Sequence, residues 1–187
     1  MNIDDFKSKL GVDELPNELE NLIEFAFNLS DNEYFSDGFD IMPFGRAGLE
    51  TWSSEVDFLN RLIPFASANG SGSIYAIWID DSNQSLSKMP IVVFGDEGGT
   101  HIVAESILQF LQLLTYDTEI EVDDNGVKFV KEKGKYQESE NLKKYLEWLK
   151  VNYNLEQIES PEKILKTAQD KYKQIFENWI GQYCNYK

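Results

Sequence analysis

His101 is the only histidine in this chain of 187 residues, and 33 aspartates and glutamates surround it with potential acids, bases and metal ligands. Asp96 and Glu97 precede it closely, as two carboxylates and an imidazole would in a metal site. Gly98-Gly99 between them works against a helical i, i+4 register, however, and no second His or Cys ligand is near in sequence. His101 therefore reads as an exposed residue at a helix start. Cys184, the single cysteine, sits far along the chain and follows Trp179, Ile180 and Tyr183, so it reads as a packed or near-surface thiol rather than half of a Cys–His pair. Asp80-Asp81 has the composition for acid–base work, but with 33 acidic residues such pairs arise by chance. Asp123-Asp124-Asn125-Gly126 lacks the alternating ligands and distant Glu of a calcium loop. Gly70-Ser71-Gly72 lacks the Gly-Lys-Ser/Thr that cradles phosphate. The sequence thus points to no catalytic residue, no cofactor and no metal, and a hydrolase using its acidic residues is the weakest of the open readings.

The elements that would position these residues are legible from periodicity and turn chemistry. Asn2 is placed to cap a short helix over 3–10, with Gly11 as its left-handed C-terminal cap. Pro16 opens a second helix whose apolar stripe is Leu19, Leu22, Ile23, Ala26 and Leu29. Residues 30–48 read as a loop with a strand near Phe39–Phe44; the ambiguous 49–60 that follow fit a strand at Leu49–Trp52 and then a turn of helix through Val56, Leu59 and Arg61. Leu62-Ile-Pro-Phe-Ala66 and Ile74-Tyr-Ala-Ile-Trp78-Ile79 are aromatic and β-branched runs around Asn69-Gly-Ser-Gly72, so they predict antiparallel strands, the second over 74–79, around a turn in which Gly70 or Gly72 takes positive φ. A further strand is expected at 91–95, after a polar loop at 80–88. A helix is expected from about 101 to 114, with Val103, Ile107, Phe110, Leu111 and Leu114 on one face. Asn125-Gly126 between alternating arms predicts a second hairpin over 118–131 with a primed turn. Helices over 138–152 and from Ser160-Pro161-Glu162 close the chain, the last with the stripe Ile164, Ala168, Tyr172, Ile175, Phe176 and Trp179.

Hydrophobic residues make up 42% of the chain, enough for a folded core in a single domain over 1–187. No apolar run reaches the roughly 20 residues of a spanning helix. The acidic N-terminus has no secretory pattern, and a lone cysteine forms no internal disulfide, so a cytoplasmic protein is expected. The net charge of −16 is unevenly spread. Residues 1–100 hold 18 acidic and 5 basic side chains, a net of −13, and residues 101–187 hold 15 and 12, a net of −3. Such a surface repels nucleic acid and anionic lipid and attracts a basic protein. Its bland alternative is a charge that serves solubility alone. The run Lys128–Lys135 is basic but too short for a nucleic-acid site.

The order of these pieces carries a resemblance. Leu10-Gly11-x-x-x-Leu15-Pro16 precedes a helix. Ile63-Pro-Phe-Ala66 follows with its Gly-x-Gly turn and Tyr75, then Pro90-Ile-Val-Val93, then a helix ending Phe110-Leu-x-Leu-Leu114. Over about residues 4–116 this resembles the SUKH superfamily, the Smi/Knr cell-wall-assembly regulators and their bacterial relatives. The chain departs from the family where an Asn-Gly pair usually follows the first long helix. Here Asn28 is followed by a longer acidic connection to Asp37-Gly38.

The resemblance implies an α+β fold, with a central antiparallel sheet packed by N-terminal and C-terminal helices; the hairpin and helices of 117–187 are expected as additions to its core. It also implies a binding protein without catalytic residues. Many bacterial members look like immunity proteins of polymorphic toxin systems, which neutralise a toxin by direct binding. Others are regulatory interaction modules, which is the alternative function. Combined with the acidity, the expected partner is a basic toxin domain. Candidate contacts in predicted loops and element ends are Asp37, Asp40, Glu50, Glu55, Asp57, Asp80, Asp81, Asp96 and Glu97, with Trp52 and Tyr34 as aromatic anchors.

Overall fold

A computed structural model describes residues 2–29, 34–82, 84–131 and 133–184, so parts of the expected loops at 30–48 and 80–88 and of the basic run at 128–135 lie outside the described residues. The described residues form an α+β fold. Helices α1 (Ile3–Leu10) and α2 (Asn17–Phe27) lead into β1 (Asp40–Ile41), a 3-10 turn at Arg46–Leu49 and α3 (Val56–Asn60). Strands β2 (Leu62–Ser67), β3 (Ile74–Trp78), β4 (Ile91–Phe94) and β5 (Thr100–Ala104) then follow, before α4 (Ile107–Leu114). The hairpin β6 (Ile120–Asp123) and β7 (Gly126–Phe129), α5 (Leu142–Tyr153) and α6 (Glu162–Ile180) complete the chain. Strands β1 to β5 form one antiparallel sheet in sequential order, and β6–β7 form a second, two-stranded one. Among the described residues no helix is long and apolar enough to cross a membrane.

The middle strands are apolar throughout because both sheet faces are covered. Alternation sends Tyr75 and Ile77 of β3 to one face and Ile74, Ala76 and Trp78 to the other, and all five are buried. On the first face Phe6, Leu22, Phe110 and Tyr145 bring α1, α2, α4 and α5 onto Phe65, Tyr75 and Val93. On the second, Phe58 of α3 and Tyr172, Phe176 and Trp179 of α6 cover Trp78, Val92 and Phe94. Phe58 stacks on Trp179 with centroids 5.6 Å apart, and Trp78 meets Phe176 edge-on at 5.1 Å. The C-terminal helix is thus a covering layer of the sheet itself.

Local signals hold at several ends. Asn2 and Asp5 form a reciprocal capping box, and Gly11 ends α1 at φ 70°. Gly72 takes φ 123° in the β2–β3 turn.

Three expectations are corrected. Residues 100–104 are strand β5 rather than the first turn of a helix, because Thr100-His101-Ile102 pairs with Val92-Val93-Phe94 and tertiary pairing overrides a helical spacing. The helix starts only after Ser106, whose hydroxyl accepts from the Gln109 N–H. The second hairpin turns on Asp124-Asn125, since Asp123 pairs with Gly126, and neither turn residue has positive φ. The Asp123 carboxylate accepts from the N–H groups of Asn125 and Gly126, which holds an unprimed turn one residue earlier than the favoured pair. Ile175 is 57% exposed. The buried row of α6 runs 164-168-172-176-180 and winds by about 40° per step, so the face has turned away from position 175.

Asn69 organises the β2–β3 turn. Its Oδ1 accepts from Gly72 N at 3.1 Å, Ser73 N at 2.9 Å and Ser71 Oγ at 3.0 Å, while Nδ2 donates to Ser73 Oγ and to the Ile120 carbonyl. Asn69→Ala is expected to destabilise the protein by about 2 kcal/mol in urea unfolding, since a buried turn loses its partners at once. A loss under about 0.5 kcal/mol would show that the turn holds without this side chain.

Candidate functional site

The small-residue turn and the Gly-rich turn after β4 lie at the same end of the sheet, and the β6–β7 hairpin docks across them. Gly95, Gly98 and Gly99 make this possible. A Cβ on Gly99 would stand 2.2 Å from the Asp123 carbonyl oxygen, and one on Gly95 would stand 2.7 Å from Val122 Cγ1. His101 fastens the same contact. Its half-buried ring places Nε2 2.7 Å from the Asp123 carbonyl oxygen, so that nitrogen carries the hydrogen and donates. The exposed histidine expected at a helix start is instead a bridge between β5 and the hairpin.

Between the hairpin, the two turns and the loop at Asp37 runs an open groove of about 840 Å³. It brings together three of the predicted residues, Asp37, Asp96 and Glu97, and joins them to Glu119 and Glu121. Asp96 is held by Ser71 Oγ at 2.9 Å and Ser73 Oγ at 2.7 Å, and these hydroxyls, Ser73 foremost, keep its carboxyl below the ordinary range. Glu119 accepts from the Gly70 N–H. Val130 and Tyr136, 46% and 38% exposed, add apolar surface to the same groove.

Behind the groove lies Asp117, 1% exposed and at φ 56°. Its carboxylate accepts from Asp37 N at 2.9 Å, Tyr136 OH at 2.6 Å, Ser139 N at 3.0 Å and Ser139 Oγ at 2.6 Å. Lys131 Nζ stands 4.0 Å from the Tyr136 ring centre and 4.7 Å from that of Tyr116. Burial, opposed by backbone N–H groups and reinforced by the charges of Glu119 and Asp117, pushes the Asp37 carboxyl above its usual range. A carboxyl raised on folding is harder to ionise in the native state, so it favours the fold as pH falls through its native value and opposes it above. Asp37→Asn is therefore expected to melt higher than wild type at pH 7, with the gap closing in acid, where both states are protonated. An equal melting temperature at pH 7 would contradict this.

The remaining predicted residues lie elsewhere. Asp80 and Asp81 follow β3 at the opposite end of the sheet, about 17 Å of strand away. Asp81 pairs with Arg61, and Asp80 accepts from Ser82. Glu55 and Asp57 flank the start of α3, and Asp57, Arg61 and Asp81 line a separate recess with Trp179 and Tyr183. Asp40 is exposed on edge strand β1, and Glu50 ends the 3-10 turn. Trp52 is half-buried, edge-on to Phe94 at 5.4 Å, whereas Tyr34 is 49% exposed. Cys184 is buried, its thiol 3.7 Å from the Trp52 carbonyl oxygen.

Asp117, Glu119, Glu121, Val130 and Tyr136 carry no motif that marks them in the sequence, and the alternating hairpin arms read there as solvated faces. The density of glycine in Gly95-x-x-Gly98-Gly99 was the available signal that another backbone lies against this turn. Among the described residues no group of three or more His, Cys, Asp or Glu is placed to hold a metal ion. Comparison of the chain with protein-family models, curated protein sequences and solved structures finds no match in any of the three.

Proposed function

We propose that this chain is a non-catalytic protein-binding module that neutralises a basic toxin domain by direct contact, as an immunity protein does. The observation that carries the reading is the concentration of carboxylates in an open groove that also exposes apolar side chains. An acidic concave surface speeds encounter with a basic protein, and apolar contacts within it slow dissociation. The resemblance of residues 4–116 to the SUKH superfamily supports the same role. The test is to express the product of the gene next to this one, alone and together with this chain. Growth arrest relieved by co-expression, with the two proteins co-purifying, is the expected result. A neighbour that arrests growth without relief would sink the reading. A harmless neighbour, with stable complexes formed on several host proteins, would replace it with a regulatory interaction module.

A further inference from the structure

The acidic side chains proposed as contacts divide between two ends of the sheet, and the ends differ in kind. At the Asp81 end the two adjacent acids that follow β3 are already engaged, while Glu55 and Asp57 stay exposed beside them. Arg61 pairs with Asp81, the Asp80 carboxylate is held by Ser82, and Trp179 is packed within the core. At the groove end five carboxylates, Asp37, Asp96, Glu97, Glu119 and Glu121, share one lining with a single cation, Lys135, and Lys128 lies opposite Glu121 in the hairpin register. Asp96 is fixed by two serine hydroxyls and Glu119 by a backbone N–H, which orient these acids without neutralising them. Glu97 and Glu121 are exposed beside them, and Val130 and Tyr136 offer apolar surface along the same wall.

Resting on the proposed function, we infer that the groove between the β6–β7 hairpin and the Gly70 and Glu97 turns is the docking surface, and that its occupant is a segment of the partner protein carrying lysine or arginine next to an apolar residue. Charge complementarity selects the cationic side chains, which would lie among Asp96, Glu97, Glu119 and Glu121. The apolar neighbour would cover Val130 and the exposed part of Tyr136. An interface of this kind combines a desolvated anchor with charged surroundings that set the rate of encounter.

The two ends are farther apart than the Debye length of about 8 Å at physiological salt, so charge reversal at one should leave binding at the other nearly unchanged. This permits a controlled comparison. Glu97→Lys with Glu121→Lys and Glu55→Lys with Asp57→Lys change the net charge equally, and all four positions are exposed. The probe is a short end-blocked peptide alternating lysine with valine, titrated into the full chain while backbone amide shifts are followed by NMR. The expected result is shift changes confined to the turns at 70–72 and 96–98, the segment 119–122 and Val130. The groove pair should weaken binding about tenfold, and the α3 pair less than twofold. Val130→Ser should also weaken binding, without altering its salt dependence. Binding centred on residues 55–61 and 81, or weakened equally by both pairs, would overturn the groove assignment while leaving a basic partner in place. No binding at millimolar peptide would overturn both the assignment and the basic-partner reading.

Discussion

Gly99→Ala is expected to lower stability by about 2–5 kcal/mol. Two effects combine at this position. Gly99 sits at φ 80°, where a side chain is strained by about 1–2 kcal/mol. The added carbon would also stand 2.2 Å from the carbonyl oxygen of Asp123 and 2.6 Å from its carbon, so the hairpin backbone must move. Forced overpacking costs about 1–3 kcal/mol more. Gly134→Ala separates the two effects, because Gly134 has φ 85° with open space around its would-be Cβ. It should lose only the conformational part, about 1–2 kcal/mol. Urea unfolding of both variants gives the comparison. Equal losses would show that the hairpin is not held by this close approach. Amide exchange at Glu121–Asp123 should quicken in Gly99→Ala before the central sheet opens, since the hairpin contacts are what the substitution disturbs.

Asp117→Asn should cost about 3 kcal/mol, and Asp117→Ala about 4–5 kcal/mol. Four donors converge on this buried carboxylate from Asp37, Tyr136 and Ser139. Hydrogen bonds to a charged group contribute about 1.5–3 kcal/mol each, and an amide offers one acceptor oxygen where the carboxylate offers two. Asparagine tolerates the left-handed backbone at this residue. Alanine does not, and so adds about 1–2 kcal/mol of strain. The checks are denaturant midpoints at constant slope and exchange rates at the Asp37 and Ser139 amides. If either variant is too unstable to purify, Tyr136→Phe removes a single bond and should cost about 1–2 kcal/mol. A loss below about 0.5 kcal/mol in Asp117→Asn would mean that water replaces the carboxylate at this junction.

Much of the architecture was legible because its signals are local. The cap at Asn2, the left-handed Gly11, the positive φ in the Asn69–Ser73 turn and the apolar strands either side depend on residues within a few positions of one another. So did the last helix, whose stripe had to cover something. Residues 100–104 differ from the helix that the sequence predicts there, because a Val103–Ile107–Phe110 spacing suits a helix whether or not its first residues belong to it. Only the partner strand, β4, decides that Thr100–Ala104 is extended. The turn at Asp124-Asn125 shifted for a similar reason, since the Asp123 carboxylate captured two backbone donors and outweighed the preference for Asn-Gly.

An acidic α+β chain, its strand and helix order through most of its length, and a surplus of carboxylates in its first hundred residues can be read from residue types and their local spacing alone. Which carboxylates meet cannot be read that way. Asp37, Asp96 and Glu97 come together with Glu119 and Glu121 because a hairpin distant in sequence lies across a glycine turn. Asp80 and Asp81, equally acidic and equally loop-like, fall at the other end of the same strands. Charge is a property of residue type and is countable in a sequence. The field that a partner meets depends on distances between residues far apart in the chain, and these exist only once the hairpin packs on the glycine turn, its Asp123 backbone against Gly99 and its Val122 and Asp124 side chains against Gly95 and Gly98.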